Sequence, residues 1–164
     1  MGDKTKIDWC DATWNPVTGC LHGCEYCYAR RIAERFGAME EINEAVRKGT
    51  ATDEIFFVDE AERDKFDVFY HIGSKINLGT LTGVKPEPCE LNGRVWVNGK
   101  PNPYPFDFTP TFHRYRLRDI EKWHTPRTIF VCSMADLFGD WVPDEWIREV
   151  FKACEAGPQH RYLF

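Results

Sequence analysis

Three of the chain's seven cysteines fall within "CLHGCEYC", which runs from Cys20 to Cys27. Cys20, Cys24 and Cys27 stand in a C-x3-C-x2-C spacing, and thiolates gathered so closely are donors for zinc or for an iron–sulfur cluster. A structural zinc site takes four protein ligands, and His22, inside the same loop, is the residue that would complete one. Zinc modules usually bring a second ligand pair from elsewhere, and no further C-x2-C or H-x3-H is present. An iron–sulfur cube has four irons, each normally held by a thiolate. With three thiolates one iron stays open to an outside ligand, as the metal of a catalytic site does.

The elements around the loop must present those thiols. "ATWNPVTGC" reads as a short strand, irregular or at an edge because of Pro16. "CYARRIAERFG" reads as a helix, with Tyr28, Ile32 and Phe36 four apart on one face and Gly37 as its stop. The loop therefore lies between a strand and the start of a helix. Cys27 opens that helix, where the dipole lowers a thiol's pKa, and Arg30 and Arg31 add positive charge. Those features favour an anionic cluster and a zinc–thiolate site alike.

Three zones divide what is expected to be one domain, 1–164. Zone 1–36 carries the thiol loop. Zone 37–105 reads as an insertion, with helical stretches at "MEEINEAVRK" and "EAERDKFDVFYHI". Within it, two Asn-Gly pairs flank the alternating "RVWV", a hairpin signal, and "KPNPYPFDFTP" closes it as an extended connector. Zone 106–164 returns to α/β punctuation. "RLRDIEKW" predicts a short helix, and "RTIFVCS" a buried strand. "DEWIREVFKACEAG" predicts a capped helix with Trp146, Val150 and Ala153 on one face, and "RYLF" begins another strand. The order β-α-insertion-β-α-β implies an α/β fold of parallel strands joined by crossovers.

Composition narrows the setting. The chain is 43% hydrophobic and 15% aromatic, which is globular, and 26 acidic against 21 basic residues give a net charge of −5. That balance argues against general phosphate-backbone binding. No apolar run reaches membrane-helix length, and "MGDKTKIDW" lacks the apolar core of a secretory signal. The expected location is cytoplasmic, where thiols stay reduced, and an odd cysteine count excludes a fully paired disulfide framework within one chain.

The C-x3-C-x2-C spacing, with the aromatic Tyr26 directly before its last cysteine, resembles the signature of the radical S-adenosylmethionine superfamily. "IDWCDATWNPVTGC", "CEYCYA", "IFVCSMADLF" and "GPQH" are similar to a narrower family of uncharacterised phage and prophage proteins with this three-cysteine motif. That resemblance covers 7–36 and 106–164. It implies an incomplete partial (β/α) barrel with a mixed helix/hairpin insertion. It implies that Cys20, Cys24 and Cys27 hold a [4Fe–4S] cluster whose open iron takes S-adenosylmethionine, which is reduced and cleaved to a 5′-deoxyadenosyl radical. Tyr26 would lie near the adenine, and Gly19 and Gly23 would let the backbone wrap the cluster. Where the superfamily has a glycine-rich stretch for the methionine ammonium this chain has "CSMADLF", so Ser133 and Asp136 are the expected substitutes. A reductant protein or small-molecule electron donor is implied as partner, and a nucleic acid or nucleotide-related molecule is the expected substrate class. Three more crossovers would need on the order of another hundred residues. The chain is thus expected to be part of a larger barrel, continued or completed by a partner chain, and inactive alone.

The reading from another class is a zinc-stabilised nucleic-acid-binding module without catalysis. In it the triplet plus His22 is structural, and the basic run His113, Arg114, Arg116 and Arg118 contacts DNA. The plainer expectation for that run is a solvated helix face. Cys10, Cys89, Cys132 and Cys154 stand singly and read as small buried hydrophobes. His22 reads otherwise as an exposed loop residue, Trp9 and Trp14 as packing groups, and Asp140 as a loop or cap residue.

Overall fold

The computed structural model describes residues 5–37, 88–97 and 100–164. In chain order it has strands β1 (Ala12–Trp14) and β2 (Val17–Thr18), helix α1 (Tyr28–Phe36), and strands β3 (Cys89–Leu91), β4 (Trp96–Val97) and β5 (Lys100–Pro101). Then come strand β6 (Thr111–His113), a 3-10 helix (Arg114–Lys122), β7 (Thr128–Val131), α2 (Asp144–Ala156) and β8 (Arg161–Leu163). The stretches "MEEINEAVRK" and "EAERDKFDVFYHI" lie outside the described residues.

Parallel strands β1, β7 and β8 lie side by side in that order, with β7 central. Their chain order is the β-α-β arrangement the sequence implied, and α2 is the crossover from β7 to β8. The β1–β7 ladder is clamped at both ends. At its start the Asp11 amide donates to the Thr128 carbonyl at 2.8 Å, and the Thr128 amide donates to the Asp11 carboxylate at 2.7 Å. At its finish the Cys132 amide donates to the Trp14 carbonyl at 2.8 Å. The described residues form a mixed α/β fold of small sheets with no closed barrel among them.

Pro16 splits the expected first strand in two. Without an amide hydrogen it cannot continue the ladder, so β1 stays with β7 while β2 turns away to pair antiparallel with β6. On the other side of β6 lies β3, in parallel register, so "CEL" of the insertion is built into the second sheet. Strands β4 and β5 pair antiparallel, as the hairpin signal implied, with Trp96 opposite Pro101 and Val97 opposite Lys100. "KPNPYPFDFTP" is not an extended connector. It coils into turns, closed by the Asp107 amide on Tyr104 and the Thr109 amide on Phe106, which bury Phe106 and Phe108.

The core lies between the sheets and α2. Trp14, Phe112, Ile129, Val131, Trp146 and Val150 are all nearly or fully buried, and the Phe112 and Trp146 rings stack at 5.2 Å. Trp146 and Val150 face inward as the helix period required, joined by Cys154, while Ala153 is only partly buried. The N-cap of α2 is Pro143, which has no side chain able to accept from a helix amide; Asp144 and Glu145 in the first turn complement the helix dipole instead.

"RLRDIEKW" lies in the expected short helix, which is of the 3-10 kind. The packing face expected of α1 fails for a physical reason. In α1 the inward residues are Ala29 and Ala33, while Tyr28, Ile32 and Phe36 are exposed. The small alanines let α1 approach Phe108 and Met134 closely, a choice that apolar periodicity alone does not reveal.

Three of the four residues of the basic run, His113, Arg114 and Arg116, are bonded within the fold rather than spread on a solvated helix face. Arg114 pairs with Glu90 at 2.9 Å and Glu149 at 2.6 Å and lies over the Phe112 ring, tying β3 to α2. Arg116 donates to the carbonyls of Asn15 and Pro103, both at 2.9 Å, and to the Tyr115 hydroxyl at 3.2 Å. Arg118 alone stays exposed. His113 is fully buried between the Thr18 hydroxyl at 2.9 Å and the Tyr115 hydroxyl at 3.3 Å. Since Arg116 already donates to the Tyr115 oxygen, the phenol proton points to His113 Nδ1, and Nε2–H donates to Thr18.

Burial, with the Arg116 cation as a lesser cause, holds His113 well below its ordinary pKa of 6.5, so it is neutral. The unfolded chain therefore binds a proton there that the folded chain refuses, and acid favours unfolding. Urea denaturation at pH 7 and pH 5 should show the lower stability at pH 5. The loss attributable to His113 should reach at most about 1.4 kcal/mol per pH unit below the unfolded pKa and shrink in His113→Gln. An unchanged slope in that variant would contradict a buried neutral histidine.

Candidate metal centre

The thiol loop begins at the end of β2 and ends at α1, beside the segment leaving β7. This is the carboxyl end of the parallel sheet, where open α/β folds place ligands. Asn15, the residue after β1, reaches across to that segment. Its side-chain oxygen accepts from the Ser133 hydroxyl and the Met134 amide, both at 3.1 Å. The Gly19 amide donates to the Met134 carbonyl at 2.9 Å, and the Cys20 amide to the Phe108 carbonyl at 3.1 Å. Gly19 sits at φ +84°, and a Cβ there would stand 2.2 Å from the Thr109 carbonyl oxygen. Only glycine permits that close approach of two backbones.

From this anchor the loop rises to the three thiols, all unpaired: Cys24 exposed, Cys20 and Cys27 half-buried. The Cys20 sulfur accepts from the His22 amide at 3.4 Å, and the Cys27 sulfur accepts from the Arg30 amide, also at 3.4 Å. Cys27 is thus the N-cap of α1, as its place before the helix suggested. Arg30 braces the loop from beneath. Its guanidinium donates to the His22 carbonyl at 2.8 Å and the Cys20 carbonyl at 3.4 Å, and it lies 4.9 Å from the centre of the Phe108 ring.

Burial pushes the Cys20 thiol up, and the Asp136 carboxylate, Cys27 and Cys24 push it further, against a smaller lowering by the His22 amide. The three sulfurs are close enough to feel one another's charge. Among the described residues, however, no three His, Cys, Asp or Glu side chains are drawn together into a group able to hold a metal ion.

The other predicted residues divide. Ser133 and Asp136 are at the site, on the segment after β7. The Ser133 hydroxyl is held by Asn15, and its carbonyl accepts from the Tyr28 hydroxyl at 2.6 Å. Asp136 accepts from His22 Nε2 at 3.0 Å and from the Phe138 amide at 3.1 Å. His22 is exposed, but it is not a free loop side chain: Asp136 holds one ring nitrogen, and Trp141 meets its ring edge-on at 4.7 Å. Tyr26 stands 83% exposed, so nothing packs its ring. Asp140 is an exposed loop residue. Sequence reasoning placed the charge of Arg30 beside the loop but not its carbonyl bonds, and it missed Asn15, Tyr28 and Trp141. The one available signal was Asn15, a polar residue directly after an apolar strand and before a proline.

The fold and site together define a mixed α/β protein with a three-thiol loop at the carboxyl edge of a parallel sheet. The chain belongs to the DUF5131 family, described as "Protein of unknown function (DUF5131)", whose model matches residues 4–67 and 90–164. No curated protein and no solved structure matches it. The unmatched stretch 68–89 falls within zone 37–105. Among the described residues no helix is long and apolar enough to cross a membrane.

The remaining cysteines contrast with the triplet. Cys89, expected to be buried, is only half-buried, whereas Cys10, Cys132 and Cys154 are buried, and burial pushes the thiols of Cys132 and Cys154 up to about 12. Near pH 8 both therefore stay protonated as well as shielded. Iodoacetamide at pH 8 should alkylate Cys24 first and leave Cys132 and Cys154 unmodified until the protein unfolds, as read by peptide mass spectrometry. Early modification of Cys132 would contradict the packing of the β7 terminus.

Proposed function

We propose that this protein is a radical S-adenosylmethionine-type iron–sulfur protein of the cytoplasm, with Cys20, Cys24 and Cys27 as the ligands of a [4Fe–4S] cluster. The observation that carries the reading is a loop of three free thiols, and not four, at the carboxyl end of parallel strands. The donor set fits the cluster in kind and in number. Soft thiolates suit iron–sulfur chemistry, and three of them leave one iron for S-adenosylmethionine. When bound, the reduced cluster would supply one electron to the sulfonium, breaking its bond to C5′ and releasing methionine and a 5′-deoxyadenosyl radical. The partial barrel and a separate electron donor belong to the same proposal.

The chain's own residues would divide the work among them. Gly19 and the Asn15 bridge fix the root of the loop against the β7 end. Arg30, bonded to the Cys20 and His22 carbonyls, brings a positive charge beneath an anionic cluster and holds the loop's curvature. The Cys27 sulfur already accepts an amide from the first turn of α1, the kind of hydrogen bond that tunes a cluster's potential. Ser133 and Asp136 offer a hydroxyl and a carboxylate that can accept from the ammonium of S-adenosylmethionine.

The zinc reading keeps one point in its favour. Zinc-bound histidines commonly pass their second ring nitrogen to a carboxylate, as His22 does to Asp136. Anaerobic reconstitution with excess iron and sulfide separates the two. The expected product is brown, with broad absorption near about 400 nm that disappears in Cys20→Ala, Cys24→Ala or Cys27→Ala and persists in His22→Ala. A colourless protein that retains zinc, and loses it in His22→Ala, would overturn the proposal.

A further inference from the structure

A second concavity lies beside the thiol loop, on the far side of Asn15 and Tyr104. It is a cleft of about 320 Å³, at the small end of the range for ligand pockets. Its walls are flat: the rings of Tyr104 and Tyr115, with Pro101 and Pro103. Its charged groups are Arg94, Arg116 and Asp119.

The charge balance of this cleft is unusual. Asp119 is answered by Lys122 at 2.6 Å, so that pair is neutral. Arg116 has only neutral partners, two carbonyls and a phenol. Arg94 is exposed and has no carboxylate partner among the described residues. Nearby Arg114, by contrast, is matched by two glutamates. Among the described residues, two guanidinium charges thus face one cleft without a counter-charge. Part of that field reaches Tyr104, whose phenol, raised by burial, is pulled back down by Arg116.

The cleft is also continuous with the thiol loop. Tyr104 packs on the cluster of Ala29, Ala33, Phe108 and Met134, as do Cys20 and Cys27. Asn15 lines the cleft, while its side chain holds the segment after β7.

We infer that the cleft between Arg94, Arg116, Tyr104 and Tyr115 binds a small planar molecule bearing a carboxylate or phosphate. Resting on the function proposed above, this molecule is the substrate on which the thiol-loop chemistry acts. Arg94 supplies the charged donor, Arg116 the fixed positive field, and the tyrosine and proline rings the apolar walls. A neutral ring would lose the charge-assisted bonds, and a bare anion would lose the walls.

Calorimetry on the metal-free full chain tests this with phenyl phosphate, benzoate, inorganic phosphate and benzyl alcohol as probes. Saturable binding of phenyl phosphate or benzoate is expected, tighter than that of inorganic phosphate or benzyl alcohol; whichever of the two binds better identifies the anionic group. Arg94→Gln should weaken it about tenfold or more, and Arg118→Gln, outside the cleft, should leave it within about twofold. Replacing all three loop cysteines by alanine should also leave binding in place, so the outcome does not depend on a cluster. Absent binding of both ring anions, or equal binding in Arg94→Gln with unchanged circular dichroism, overturns the inference. Inorganic phosphate binding as tightly as phenyl phosphate overturns it too. Binding to a wild-type chain that takes up no iron on anaerobic reconstitution would uphold the cleft and sink only the proposed function.

Discussion

The pairing of β1 with β7 is the constraint that holds the whole site together. Two strands over a hundred residues apart in sequence are held in parallel register by the Asp11–Thr128 clamp at one end and the Cys132–Trp14 bond at the other. Parallel strands put their carboxyl ends at the same edge. The segments leaving β1 and β7 must therefore meet, and the Asn15 side chain makes the junction. The thiol loop is one branch from that junction, and the segment carrying Ser133 and Asp136 is the other. Loss of register would separate them without touching a cysteine.

The second sheet gives this edge its support. Pro16 ends β1 and forces the backbone toward β6, so the loop leaves from a corner between two sheets. Into that corner come Phe108 and Thr109; the Phe108 carbonyl receives the Cys20 amide, and the Thr109 carbonyl excludes any side chain at Gly19. Arg116 stitches the same corner from the other side through the Asn15 and Pro103 carbonyls. A residue run that looks like a nucleic-acid patch in one dimension is spent on backbone carbonyls and internal carboxylates in three.

Much of this was legible in sequence, for identifiable reasons. The thiol triplet, its seat between strand and helix, and the three parallel strands came from spacing and apolar runs, which are local signals. The buried single cysteines came from their apolar neighbours. The features that could not be read depended on tertiary contact. The large apolar face of α1 looked like the packing face, yet close approach to Phe108 selects Ala29 and Ala33 instead. The Pro-rich connector looked extended because proline disfavours regular structure, but buried phenylalanines fold it into turns. Asn15 and Arg30 act across the fold, so nothing near them announced their partners. His22 and Asp136, read separately, turn out to be bonded to each other.

Three donors from the loop, with the fourth place left to a small molecule, is the proposition on which the function stands. Mössbauer spectroscopy of protein reconstituted with ⁵⁷Fe puts it to the test, recorded before and after S-adenosylmethionine is added. One iron subsite should change its isomer shift on addition while the others do not. Spectra that are identical before and after, with every iron already in a sulfur-only environment, would contradict it.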